Sequence, residues 1–205
     1  MTDYPQPSVF LIEGLDRLGK STLVENIIDK LGYYQRLHFS KPKMVERYAN
    51  AEADVELAVK YGVSSENAAL FHYQQACFRN LFIMAHSYGR FICDRAHLGE
   101  AVYSNLYRGY DGNYVFDLEE NLAANELARV RLILLVENFT CSKHFVDDGH
   151  SLGPESARAK EQDLFMHAFN RSIIRDKRVV SVTDIYTGQF RDPQDILEEV
   201  LAHAF

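Results

Sequence analysis

The chain has 205 residues, enough to bury roughly 70% of its unfolded surface in one core without disulfides or a structural metal. It is 47% hydrophobic and 25% charged, with 11 glycines and 5 prolines, which excludes disordered, collagen-like and low-complexity chains. Its 22 basic and 29 acidic side chains leave a net charge of −7, so a long polyanion such as nucleic acid is not an expected partner. Along the chain, residues 8–13 read as a buried strand and 14–19 as a glycine-bounded loop. Residues 20–31 form a helix with Leu23, Ile27, Ile28 and Leu31 on one face. A second strand falls at 35–39, and a long helix over 65–86 opens on Ser64, Ser65, Glu66 and Asn67, which supply cap chemistry. Residues 90–93 read as a short strand ending at Asp94 and Arg95, followed by helical stretches near 98–106 and 116–128. The most apolar run, 131–136, is expected to be a central strand. A helix over 155–174, a strand over 179–183 and a closing helix over 193–204, with Pro193 in its first position, complete the pattern.

Five β-runs separated by helices predict a three-layer α/β domain around a five-stranded parallel sheet. Residues 1–205 read as a single domain, in which 143–160 form a mobile lid carrying Asp147, Asp148, Gly149, Arg158 and Lys160. No apolar run approaches the length of about 20 residues that a membrane helix needs. The start lacks the basic and apolar regions of a signal peptide, so a cytoplasmic location is expected. Cys77, Cys93 and Cys141 are odd in number and widely spaced, as reduced thiols would be.

The chemistry is concentrated in Gly14-Leu15-Asp16-Arg17-Leu18-Gly19-Lys20-Ser21-Thr22, which fits G-x-x-x-x-G-K-[ST] between a predicted strand and a predicted helix. Gly14 and Gly19 permit the backbone angles that turn N–H groups inward around phosphate oxygens. The helix beginning at Lys20 adds its positive N-terminal dipole. Lys20 would reach the β- and γ-phosphates of ATP, and the Ser21 hydroxyl would ligate Mg²⁺. An Asn-Lys-x-Asp guanine-reading motif is absent, which argues against a GTPase. The only Asp-Asp pair, at 147–148, lies in the predicted lid, not at a strand end, which argues against a motor ATPase. Phosphoryl transfer between small molecules is the remaining expectation.

These residues resemble the thymidylate kinases, P-loop nucleoside monophosphate kinases whose loop carries G-x-D-x-x-G-K-[ST]-T. Asp94-Arg95 at a strand end, with Tyr103 nine residues after Asp94, resembles that family's Asp-Arg motif and its downstream tyrosine. The run 94–108 is similar to a phage-type variant of the family. The resemblance implies that Asp16 binds the acceptor's 3′-hydroxyl and that Arg17 bridges donor and acceptor phosphates. It further implies that Asp94 sits near Mg²⁺ through water, that Arg95 clamps the acceptor phosphate and that Tyr103 packs on the sugar. A homodimer through the helix around 71–86 is also implied, although its Phe78, Leu81, Phe82 and Met84 suit a core equally well.

The departures from the family bear on the base. Where the family has a helix Phe followed four residues later by Arg, this chain has Phe71 followed by Gln75, whose amide suits a pyrimidine's O4 and N3–H. After the second strand, Lys41 stands where the family places Arg beside the acceptor phosphate, and it lacks the bidentate fork. Arg158 is the lid residue expected to close over the donor phosphates. The function expected is Mg·ATP-dependent phosphorylation of a deoxypyrimidine monophosphate, dTMP or a modified dUMP. Its rivals are a kinase acting on a deoxynucleoside, nucleic-acid or modified-base hydroxyl, with Glu13 or Glu100 as base, and a non-catalytic ATP-binding regulator.

Overall fold

The structure, a computed structural model, describes residues 7–39, 55–86, 89–120, 129–139 and 155–202. Five strands form one sheet: β1 (Val9–Gly14), β2 (Gln35–His38), β3 (Phe91–Asp94), β4 (Val130–Val136) and β5 (Asp176–Ser181). The helices are α1 (Lys20–Leu31), α2 (Val55–Lys60), α3 (Ser65–His86), α4 (His97–Tyr103), α5 (Tyr114–Glu120), α6 (Glu155–Arg171) and α7 (Pro193–Leu201). All neighbouring strands run parallel, in the order β2-β3-β1-β4-β5. Helices α1 and α7 pack together on one side, while α3, α4, α5 and α6 form a connected group on the other, giving three layers. Among the described residues no helix is long and apolar enough to cross a membrane.

The central strands explain themselves. Val9–Ile12 and Leu132–Leu135 are all 0–1% exposed, because a parallel strand between two helical layers buries both faces. Strand β1 lies between β3 and β4, so the chain leaves it toward one half of the sheet and later crosses to the other. The crevice at the carboxyl ends of strands at such a switch point is where α/β proteins bind ligands. Here those ends are Gly14 and Asp94.

The last strand differs from the expectation of 179–183. It begins at Asp176, because three polar side chains there find partners on neighbouring elements. Arg131 Nε donates to Asp176 Oδ2 at 2.8 Å, and Arg178 Nη1 donates to the Glu199 carbonyl at 2.8 Å. Lys177 donates to the Phe169 and Ser172 carbonyls at 2.9 and 2.8 Å, closing the C-terminal end of α6. Helix α4 ends earlier than expected and runs into a π-helical turn, Ser104–Arg108, closed by Gly109 at φ 70°. Helix α2 is too short for a periodicity to announce it. Phe78, Leu81 and Phe82 belong to the chain's own core, leaving Ile83 and Met84 as the exposed apolar positions near the end of α3. Residues 121–128, Lys41, Cys141 and 143–154 of the expected lid lie outside the described residues, whereas 155–160 are the first turns of α6.

Candidate active site

Strand β1 delivers the chain to Gly14, whose φ of +132° is open to glycine and whose Cα faces the Leu135 carbonyl of β4. The loop then passes through two left-handed residues, Arg17 at φ 68° and Gly19 at φ 77°. A non-glycine in that region costs of order 1 kcal/mol or more and is typical of functional loops. Gly19 caps α1 without a side-chain bond, so the first N–H groups of a 12-residue helix face the cleft.

Lys20 is 6% exposed, and its ammonium donates to the carbonyls of Gly14, at 2.9 Å, and Leu15. Asp16 Oδ1 lies 3.8 Å from it. Burial brings the Lys20 ammonium down from 10.5 to about 8, with Asp16 pulling upward and Arg95 downward. Phosphate binding needs the protonated form. We therefore expect kcat/KM for ATP to fall above pH 8, approaching tenfold per pH unit. A profile flat to pH 9.5 would remove Lys20 from the phosphate contacts.

Asp94 reaches the cleft because β3 is registered so that it pairs with Ile12. It is 1% exposed, and three groups converge on its Oδ2: the Ser21 hydroxyl at 2.7 Å, Arg36 Nη2 at 2.5 Å and His38 Nδ1 at 3.6 Å. Burial alone would raise this carboxyl, but Ser21, Arg36 and His38 outweigh it and hold it below the usual range. Its Oδ1 has no hydrogen bond among the described residues. The hydroxyl and carboxylate in direct contact suit Mg²⁺, which prefers one or two protein oxygens together with phosphate and water. Among the described residues no group of three His, Cys, Asp or Glu forms an all-protein metal site. Arg95, left-handed at φ 71°, donates its N–H to the Ile12 carbonyl at 3.0 Å and its guanidinium to Asp16 Oδ1. Together these residues enclose a cleft of about 320 Å³ that includes Arg17, Lys20, Ser21, Asp94 and Arg95.

Two cavities flank this cleft. The first, about 80 Å³, is walled by Phe39, Gln74, Phe78, Tyr103, Arg108 and Phe165. Phe39 and Phe78 face one another with ring centroids 5.6 Å apart, and Gln74, only 5% exposed, has no hydrogen bond among the described residues. Tyr103 stacks on Tyr107 at 5.9 Å and meets the edge of Phe165 at 5.6 Å. Its hydroxyl bonds the buried Glu161 of α6, and burial with Glu161 nearby pushes the phenol upward. Glu161 Oε1 is buried without a hydrogen-bond partner, and the carboxyl is raised by burial and by Asp16. Glu100 is clasped by Tyr110 at 2.6 Å, Tyr114 at 3.0 Å and Arg108. The second cavity, about 240 Å³, is mostly apolar, with Leu18, Leu23, Leu135, Val182, Phe190 and Ile196 among its walls. Arg17 borders both it and the phosphate cleft.

Of the expected residues, Gly14, Asp16, Arg17, Gly19, Lys20, Ser21, Thr22, Asp94, Arg95 and Tyr103 are brought to one crevice. Phe71 is not: it is fully buried among Tyr61, Tyr110 and Tyr114, with centroids 4.9 to 6.0 Å away. Gln75 is half-buried outside the cavity wall, where Gln74 and Phe78 stand. Arg158 is held at the end of β4, its Nη2 and Nε donating to Glu137 Oε1 at 2.5 and 3.1 Å. His97 is enclosed and bonds Glu119 Oε1 at 2.5 Å, joining α4 to α5. Arg36, His38, Gln74 and Glu161 carry no local signal that sequence reasoning could use.

Residues 12–172 match the family model described as thymidylate kinase. The fold is similar to that of the YorR protein from Bacillus subtilis, solved in complex with phosphorylated GDP. That similarity has 15% identity and a TM-score of 0.57, over 94% of this chain and 92% of that one. Thymidylate kinase from Candida albicans is similar at 17% identity and a TM-score of 0.50, over 95% of this chain and 89% of that one. At these identities the likeness is one of fold. No match is found among curated protein sequences.

Proposed function

This chain belongs to the thymidylate kinase family of nucleotide-phosphorylating enzymes, and on that premise we propose that it transfers the γ-phosphoryl group of Mg·ATP to a deoxypyrimidine monophosphate, dTMP or a modified dUMP. The observation that carries the reading is the sequence of three spaces along one crevice: an apolar cavity, a cationic cleft and a small aromatic-walled cavity. The donor base takes the apolar cavity beside Phe190, the two phosphate chains meet over Lys20, and the acceptor base enters between Phe39 and Phe78.

An oxygen of the acceptor phosphate attacks the γ-phosphorus in line, and the bond to the bridging oxygen of ADP breaks. A loose transition state of this kind leaves the protein mainly to align two anions and offset their charge. Lys20 holds the donor phosphates, Arg17 spans donor and acceptor, and Arg95 turns from Asp16 to the acceptor phosphate. Asp16, Tyr103 and Glu161 enclose the sugar. Mg²⁺, held by Ser21 with Asp94 behind its water, supplies further positive charge to the phosphate oxygens. Gln74 offers a donor and an acceptor to the base edge.

The test is an ATP-consumption assay across dTMP, dUMP, 5-hydroxymethyl-dUMP, dCMP, dGMP and a single-stranded oligonucleotide. A deoxypyrimidine monophosphate should be preferred, and Gln74→Leu should raise its KM roughly tenfold, a loss typical of one hydrogen-bonded contact, while KM for ATP holds. Preference for dGMP, or an unchanged acceptor KM, would overturn the base assignment. Silence with every acceptor while ATP still binds would favour a nucleotide sensor.

A further inference from the structure

We infer that the same pocket also accepts a nucleoside, with Glu13 as the general base that takes the proton from its 5′-hydroxyl. This inference rests on the proposed kinase reaction and extends it from phosphate acceptors to hydroxyl acceptors.

Glu13 is the last residue of β1 before the phosphate loop and is 1% exposed. One oxygen, Oε1, is committed: it accepts the N–H groups of Leu98 at 2.7 Å and Gly99 at 3.2 Å, capping α4 from a different element. Neither hydrogen bond uses Oε2, which has no hydrogen bond among the described residues. Glu13 borders the small cavity together with Gly14, Arg95 and Tyr103. Gly99 keeps this oxygen uncovered. A methyl there would lie 3.6 Å from both Glu13 Oε2 and the Tyr103 ring, filling the gap between the carboxylate and the sugar wall.

A phosphate acceptor has no proton to lose at the attacking oxygen, so the monophosphate reaction gives this carboxylate no task. A hydroxyl acceptor does. The 5′-oxygen forms its bond to the γ-phosphorus, its proton passes to Glu13 Oε2, and the bond from phosphorus to the bridging oxygen of ADP breaks. The proton then leaves with solvent exchange as product departs. Two features suit Glu13 to the role. The α4 N–H groups fix its orientation, and burial raises its carboxyl above the ordinary 4.5, against the pull of His97, those N–H groups and Lys20. The product of this step is the monophosphate that the proposed reaction consumes, so one site would carry a nucleoside through two transfers to the diphosphate.

The wild-type protein is assayed with Mg·ATP and either thymidine, deoxycytidine or the matching monophosphates, products being separated by chromatography. Glu13→Gln retains a carbonyl oxygen for the Leu98 and Gly99 N–H groups while removing the base. Formation of nucleoside monophosphate by the wild type is expected. In the variant, the ratio of nucleoside to monophosphate kcat/KM should fall by roughly 10²-fold or more, the usual range for a lost general base. Wild-type activity on monophosphates with none on nucleosides would overturn this inference and leave the kinase reading standing. An unchanged ratio in the variant would overturn it too, reducing Glu13 to a helix cap. Silence with both acceptor classes would overturn the kinase reading along with it.

Discussion

Lys20→Met should slow phosphoryl transfer by roughly 10²- to 10³-fold, the loss seen when one preorganised charge on a transition-state oxyanion is removed. The fold should survive the change. The ammonium is 6% exposed, and burial lowers it to about 8, so its positive charge is an expense to the empty protein at neutral pH. Methionine removes that expense and forfeits the hydrogen bonds to the Gly14 and Leu15 carbonyls. The two effects oppose each other, so the unfolding midpoint should stay within a few degrees of the parent's. Calorimetry beside a turnover assay would separate the outcomes. Near-normal turnover would sink the phosphate-loop assignment, and a collapsed midpoint would show that Lys20 is structural.

Gly14→Ala should do the reverse and damage the fold. At φ +132° an L-residue is strained, which costs about 1–3 kcal/mol. Its methyl would also run into the Leu135 carbonyl oxygen, to which Gly14 is registered across the β1–β4 pairing. Overpacking against backbone adds a further 1–3 kcal/mol, since a strand inside a sheet has little freedom to retreat. A combined loss of about 3 kcal/mol or more would lower the midpoint of a chain this long by roughly 6–12 °C. Gly19→Ala is the control. Gly19 has a positive φ of 77° but nothing within 4 Å of the added methyl, so only the backbone strain remains. Equal destabilisation by the two variants would refute the packing argument at Gly14.

The phosphate loop and sheet were legible because their signals are local. Val9–Ile12 and Leu132–Leu135 read as buried strands since both faces are covered, and α1 began at Lys20 because the glycine of the motif caps it. The base-side wall was not. Along α3 the residues Leu70, Phe71, Phe78, Leu81, Phe82 and Ala85 are all buried, so the helix carries apolar side chains around much of its circumference and gives no phase to its glutamines. Gln74 and Phe78, not Gln75 and Phe71, therefore face the cavity. The remaining misses are long-range. Arg36 meets Asp94 from 58 residues away, and Glu13 caps a helix 85 residues downstream. Arg158 was read as a solvent-facing lid charge, yet Glu137 at the end of β4 takes it into a buried pair. Local pattern carries no information about such meetings.

Asp16 contacts both Lys20 and Arg95 in the empty cleft. The crevice thus holds its own counter-ion, and its cations are never bare. An incoming anion must outcompete a tethered carboxylate, whose effective concentration no dilution can lower. Small monovalent ions are poorly equipped for that contest, whereas a phosphate chain that also meets the α1 N–H groups gains on several fronts at once. A protein carrying net charge −7 can in this way keep a phosphate cleft that stays receptive in salt. Discrimination among anions is then set by exchange at Asp16, before any base is read.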